Sequence, residues 1–272
     1  SRTGKSTEPV KASRLRAFSI WFFCGFVFCL GFLIPLITLI GYCVDYWLEN
    51  SNSKVWLHAQ DTFILAASAA LIATTIALLF NSQQRFIPSA QNQSKLSLSS
   101  LGYAIPGTVL AIGILIPLSQ LDIGLNHFIQ WLGFEKVGLI FSGTSFALII
   151  AFVIRFSAIG NGSIQAAYKQ MPTNLDSAST MLKASRFKTF HKIHLPILRP
   201  ALVSAFLLVF IECVKELPAS LLLRPFDFET LATYVFQFAS DEQLEHAASS
   251  ALLIIVVSLL PILLLSRSQK MQ

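Results

Sequence analysis

Hydrophobic residues in this chain fall in long uninterrupted blocks, over about residues 17–44, 62–80, 101–118, 137–154, 197–223 and 247–265. Each is close to the roughly 20 residues that a helix needs to cross a hydrocarbon core of about 30 Å. Only internally hydrogen-bonded helices or closed barrels satisfy their backbone in lipid, and barrel strands alternate apolar and polar positions. These blocks do not alternate, so the pattern predicts an all-α polytopic membrane protein with six transmembrane helices. A polar lead-in at 1–16 and a tail at 267–272 flank them, and the longest basic interruption is the loop at 169–197.

Composition agrees with that reading: 54% of residues are hydrophobic and 12% charged, against about a quarter charged in a soluble domain. Basic residues set the orientation, because cytoplasmic segments carry the excess of Lys and Arg. With the N-terminus inside, every Lys and Arg except Lys54, Lys136, Arg224 and Lys215 falls on the cytoplasmic side. Both termini are then cytoplasmic. The net charge of +6 follows from this topology and is spread over four segments, so no nucleic-acid partner is expected.

Several features are decoys. Thr3-Gly4-Lys5-Ser6-Thr7 matches the end of a phosphate-binding loop, but Pro9 interrupts the helix such a loop requires. Cys24, Cys29, Cys43 and Cys213 lie inside apolar blocks without CxxC spacing, which suits small buried hydrophobes. His191 and His194 are three apart but have no third ligand nearby, so neither a metal nor a cofactor is expected. No HExxH, no GxSxG and no pair of intramembrane aspartates suggests catalysis, and no catalytic residue is assigned.

Three stretches carry more information. Ala66-Ala67-Ser68-Ala69-Ala70 places small residues four apart, which lets helix backbones approach in lipid. Pro106-Gly107 inside the third block predicts a bend, either a structural kink or one lining a pathway. Near the end of the fifth block, Glu212, Lys215 and Glu216 sit at i, i+3 and i, i+4, on one helical face. Unpaired charges at mid-depth cost about 2.5–3.5 kcal/mol each, so that face meets protein or water. It is either a fixed ion pair or part of a cation pathway. Asn81–Ser100, rich in Gln, Asn and Ser, reads as a flexible connector, and Tyr46-Trp47 as an interfacial anchor.

Between the fourth and fifth blocks, Asp176–Ile193 predicts two short helices, with Asn174 as N-cap and Asp176 near the positive helix end. Leu175, Ala178 and Leu182 share a face. Phe187, Phe190 and Ile193 add a second apolar patch, rimmed by Lys183, Arg186, Lys188 and Lys192. Amphipathicity alone fits a protein partner or anionic lipid headgroups equally well.

The segment resembles the EAA loop of ABC importer permeases: Glu-Ala-Ala, three residues, Gly, nine residues, then Ile-x-Leu-Pro. Ser177, Ala178 and Ser179 occupy the Glu-Ala-Ala positions, Lys183 that of the glycine, and Ile193, Leu195 and Pro196 the end of the pattern. Asp176 stands beside the missing carboxylate. A lysine lacks glycine's backbone freedom, so the turn geometry at Lys183 is left open. Lys215–Phe226 with Phe228–Ala232, and Tyr103–Gly113, are similar to the ferric-iron transporter permeases, whose members often fuse two permease halves. A chain with no initiating Met and one altered EAA loop looks like the C-terminal half of such a fusion.

The resemblance implies the type I permease fold, a location in the bacterial inner membrane and alternating access. It also implies three partners: an ATP-binding cassette ATPase dimer at the EAA-like loop, a periplasmic substrate-binding protein, and a second permease half. Ferric iron is the cargo it favours; thiamine, phosphonate, polyamine or an oxyanion on the same fold, or a passive channel or scaffold, are the alternatives.

Overall fold

The computed structural model describes residues 13–46 and 53–269. The phosphate-loop decoy at Thr3–Thr7, Trp47 of the expected anchor and the last residues of the tail lie outside them. All regular elements among the described residues are helices: α1 Arg14–Asp45, α2 Ser53–Phe86, α3 Ala90–Ser99, α4 Gly107–Trp131 and α5 Ser145–Gln170. Then follow α6 Asn174–Met181, α7 Arg186–Val214, α8 Pro218–Leu223, α9 Leu231–Ser240 and α10 Leu244–Gln269. By length and composition α1, α2, α4, α5 and α7 are each able to cross a membrane. The expected sixth span falls on α10, whose apolar stretch among the described side chains is Leu244–Leu259.

The core is built from α2, α5 and α7. Ala66, Ala69, Ala70, Ala73 and Ala77 on α2 are wholly buried and meet Ala147, Ala151 and Gly160 along α5. A Cβ at Gly160 would stand 3.3 Å from the Ala77 Cβ, so the two backbones approach as closely as small residues permit. Helix α1 is different: its apolar window has no buried residue, and only its second half rests on α10. Two π turns, Cys29–Leu33 in α1 and Phe190–His194 in α7, each lie just before a proline, Pro35 and Pro196. A proline has no N–H for the carbonyl four residues back. The helix adapts by bonding one residue further, as Leu195 N does to Phe190 O. Helix α7 thus runs unbroken through Pro196 and Pro200.

The element boundaries correct the sequence reading in four places. The stretch 81–100 is not a flexible connector: α2 continues to Phe86, and α3 follows, capped by Ser89 accepting from Asn92 N. Pro106-Gly107 does not bend a helix from within. It starts one, after a short 3-10 turn at Leu101–Ala104, and α4 then runs past residue 118 to Trp131. Residues 137–144 are irregular chain rather than the start of the fourth span, which begins at Ser145. The fifth span ends at Val214, because Pro218 offers no N–H to the Val214 carbonyl.

The apolar run Val137–Phe141 misled because its polarity is supplied from elsewhere. Asp122 and Asn126, one turn apart on α4, hold that stretch by its backbone. Asp122 Oδ1 accepts from Ile140 N and Phe141 N, and Oδ2 from Ser142 N and Oγ, at 2.6–2.8 Å. Asn126 accepts from Val137 N at 2.8 Å and donates to Gly138 O at 2.7 Å.

Candidate functional site

Helix α6 follows the C-terminal end of α5, and one carboxylate joins it to three other helices. Asp176, in its first turn, takes Arg85 Nε at 2.8 Å and Nη2 at 2.7 Å on one oxygen. Its other oxygen accepts from His194 Nε2 at 2.7 Å. Arg85, in the last turn of α2, also donates to the carbonyls of Tyr168, Met171 and Pro172, so it closes the C-terminal end of α5 as well. His194 is completely buried, stacked face to face on Phe86 with ring centroids 4.7 Å apart. Its Nδ1 is 3.3 Å from the Tyr168 hydroxyl, which lies 2.8 Å from Ser82 Oγ. Four helices therefore meet at Asp176: α2 through Arg85 and Ser82, α5 through Tyr168, α7 through His194, and α6 itself.

The turn that follows answers the question left open at Lys183. Lys183 has φ +53°, the left-handed conformation that glycine adopts most readily. Its N–H donates to Thr180 O at 2.9 Å and Ala184 N to Ser179 O at 3.0 Å, the paired bonds of a Schellman C-cap. The lysine thus reproduces the glycine's geometry, at a cost of about 1–2 kcal/mol for a side chain in that region. Lys183→Gly is accordingly expected to stabilise the turn by about 1 kcal/mol. Slower amide exchange at Lys183 and Ala184 would show it; unchanged exchange would refute it. Ser179, at the second alanine position, is buried and accepts from Thr189 Oγ1 at 3.1 Å, which ties α6 to the start of α7.

Other expected site residues fall differently. The N-cap of α6 is Thr173, with Asn174 its first residue. Leu175 packs into the core with Tyr168, Met171 and Leu198, while Leu182 is 83% exposed, so the two do not share an open face. The outward surface is Ser177, Ala178 and Met181 on α6, Leu182 just after it, and Phe187 on α7. Lys183, Arg186, Lys188 and Lys192 are exposed around it. Ile193 and Leu195 are half-buried and Pro196 is exposed.

Glu212, Lys215 and Glu216 do not share one helical face, because α7 stops before Lys215. They separate into two ion pairs. Glu212 meets Lys215 at 2.7 Å, with Lys215 half exposed. Glu216 turns inward and is 3.3 Å from Arg155 Nε on α5, with its side chain 8% exposed. Arg155 and Arg85 were not singled out from sequence, and His194 was weighed only with His191 as a metal pair, not as a partner of Asp176. A lone Arg directly after the apolar block at 137–154, with Phe156 beyond it, was the available signal for the first.

This all-α fold of long apolar helices, with a short tethered helix between α5 and α7, defines a multi-pass membrane permease of the ABC importer type. The chain belongs to the family of binding-protein-dependent transport system inner membrane components, whose pattern it matches over residues 73–272. It is 26% identical over 258 residues to the Fe(3+)-transport system permease protein FbpB 2 of Haemophilus influenzae, covering 90% of this chain and 46% of that one. It is 29% identical over 164 residues to the ferric transport system permease protein FbpB of Actinobacillus pleuropneumoniae, covering 60% of this chain and 23% of that one. The chain thus spans less than half the length of these relatives. In structure it resembles a bacterial ABC transporter involved in import of the acidic polysaccharide alginate. The TM-score is 0.72 at 15% identity, over 93% of this chain and 94% of that one.

Proposed function

We propose that this chain forms half of the membrane pathway of an ATP-driven importer, with both termini in the cytoplasm and ferric iron as its cargo. The observation that carries the reading is the four-helix anchorage of α6 at Asp176, below an apolar surface rimmed by lysines and arginine. A short helix bolted at its inner face and open at its outer face is built to receive force from a soluble partner. That partner is an ATP-binding cassette dimer; a periplasmic binding protein delivers cargo to the opposite side, and a second permease half completes the pore. The chain itself hydrolyses nothing. The cargo assignment is supported by the names of the ferric-transport relatives.

A second reading keeps the machine and changes the cargo to thiamine, a phosphonate, a polyamine or an oxyanion. Both intramembrane glutamates are neutralised by their own partners, so a net negative cation path is not required by the charges. Uptake of radiolabelled ferric iron, in cells carrying the full-length chain, its ATPase and its binding protein, decides between them. ATP-dependent uptake lost on deleting residues 178–193, with the protein still in the membrane, supports iron. No iron uptake, with ATPase copurification that depends on that segment, moves the assignment to the second reading.

A further inference from the structure

Helix α5 runs without a break from Ser145 to Gln170, and it carries a charged residue near its middle. Arg155 lies ten residues from the start, about 15 Å along the axis at 1.5 Å per residue. Its guanidinium reaches two places where the backbone leaves helical form. Nη1 donates to Ile105 O at 2.9 Å, just before α4 begins. Nε faces Glu216 at 3.3 Å, in the gap between α7 and α8. Glu216 in turn accepts from Ala219 N with its other oxygen, fixing the start of α8.

The packing leaves no slack around this contact. A Cβ on Gly107 would lie 2.8 Å from Glu216 Oε1, 3.0 Å from Pro218 Cβ and 3.1 Å from Arg155 Nη1. One on Gly102 would lie 2.1 Å from Ile154 O. Both breaks are therefore pressed against the same turn of α5. The other end of that helix is Tyr168, joined to His194 and, through its carbonyl, to Arg85. Helix α5 thus has α6 pinned at one end and both breaks pinned near its middle.

We propose that Arg155 is the positioning residue that transmits movement of α6 to the pathway. As α5 tilts with α6, Arg155 pulls the Ile105 carbonyl and Glu216 together, so the starts of α4 and α8 move as one gate. The charge pair alone does not suffice: the planar guanidinium bonds the Ile105 carbonyl through Nη1 while Nε stands in the ion pair with Glu216, whereas a lysine ammonium is a single point charge. The inference rests on the reading of α6 as the segment the ATPase moves.

The test uses the full-length chain with its ATPase and binding protein in nanodiscs, with Cys24, Cys29, Cys43 and Cys213 replaced by serine or alanine. Ile105→Cys reports the gate, because the backbone carbonyl that Arg155 holds is kept. Met181→Cys reports contact at α6. Thiol labelling is followed with and without ATP, together with ATP hydrolysis. Arg155→Lys and Glu216→Gln are each expected to leave hydrolysis within about twofold and the ATP-dependent change at Met181→Cys intact. Both should cut the ATP-dependent change at Ile105→Cys by tenfold or more. An unaltered change at Ile105→Cys in both variants overturns the transmission role and leaves the α6 reading standing. A parallel fall of hydrolysis and both labels makes Arg155 a structural staple only, and so also overturns it. No ATP-dependent change at Met181→Cys before any substitution at Arg155 overturns the α6 reading itself, and the transmission role with it.

Discussion

Arg85→Ala is expected to release α6 from the bundle while the chain still inserts and folds. The substitution removes the ion pair to Asp176 and three hydrogen bonds to the end of α5, and leaves the carboxylate with His194 alone. Breaking a buried pair by removing one partner costs about 3–5 kcal/mol. Asp176 keeps 29% of its side-chain exposure, so about 3 kcal/mol is the appropriate figure, or roughly a 100-fold rise in the open population. Protease cleavage in the basic stretch around Lys183 and Arg186, in intact membranes, measures that population directly. Arg85→Met combined with Asp176→Leu should recover only part of the loss: no charge is orphaned, but buried His194 Nε2 and the three carbonyls at the end of α5 lose their partners. Cleavage at the wild-type rate in Arg85→Ala would mean that the tether does not hold the helix. Transport should fall with Arg85→Ala in proportion to the open population, because a lever that is free at its inner face transmits no force.

What sequence revealed and what it hid divide along a physical line. The apolar blocks, the basic asymmetry and the EAA-like spacing are local patterns, readable one segment at a time, and the all-α permease fold followed from them. The partners of Asp176 are not local: Arg85 is 91 residues away and His194 18. Asp176 was noticed as a stand-in for a missing glutamate and a favourable charge at a helix start, yet its role is to join four helices. Lys183 shows the opposite error. Its identity argued against the family's turn, but the six-residue bond pattern around it over-determines the left-handed conformation. Glu212, Lys215 and Glu216 were grouped by helical periodicity, which fails once Pro218 ends the helix between them. Pairing then follows space rather than spacing.

The irregular backbone at Ile105, at Glu216 and along residues 137–144 meets one problem with two different solutions. Unpaired backbone groups are expensive in a low-dielectric setting. Around Ile105 and Glu216 the solution is one arginine shared by two breaks, with glycines allowing close approach. Along residues 137–144 it is a pair of side chains on one helix face. The first joins three helices that an importer must move relative to one another; the second keeps a loop fixed to its own helix.

For that reason Asp122→Ala should be the most damaging substitution at the end of the bundle away from α6. Asp122 is fully buried and accepts four hydrogen bonds from three consecutive residues. Bonds to a charged group contribute about 1.5–3 kcal/mol each. Ile140, Phe141 and Ser142 keep partial access to solvent, and water would replace part of that sum, leaving a loss of about 4 kcal/mol. Asp122→Asn should fall between, about 2–3 kcal/mol, because its amide N–H groups face the Ser142 donors that one carboxylate oxygen now accepts. Ser142→Ala removes one bond of the four and should cost about 1 kcal/mol. Amide exchange at residues 140–142 in nanodiscs should therefore accelerate in the order Ser142→Ala, Asp122→Asn, Asp122→Ala, with α5 and α6 unaffected. Equal exchange in all three would mean that the loop is held by its apolar contacts and the carboxylate is incidental. The graded order would instead identify Asp122 as the group that lets an apolar stretch remain irregular and fixed beside the start of α5.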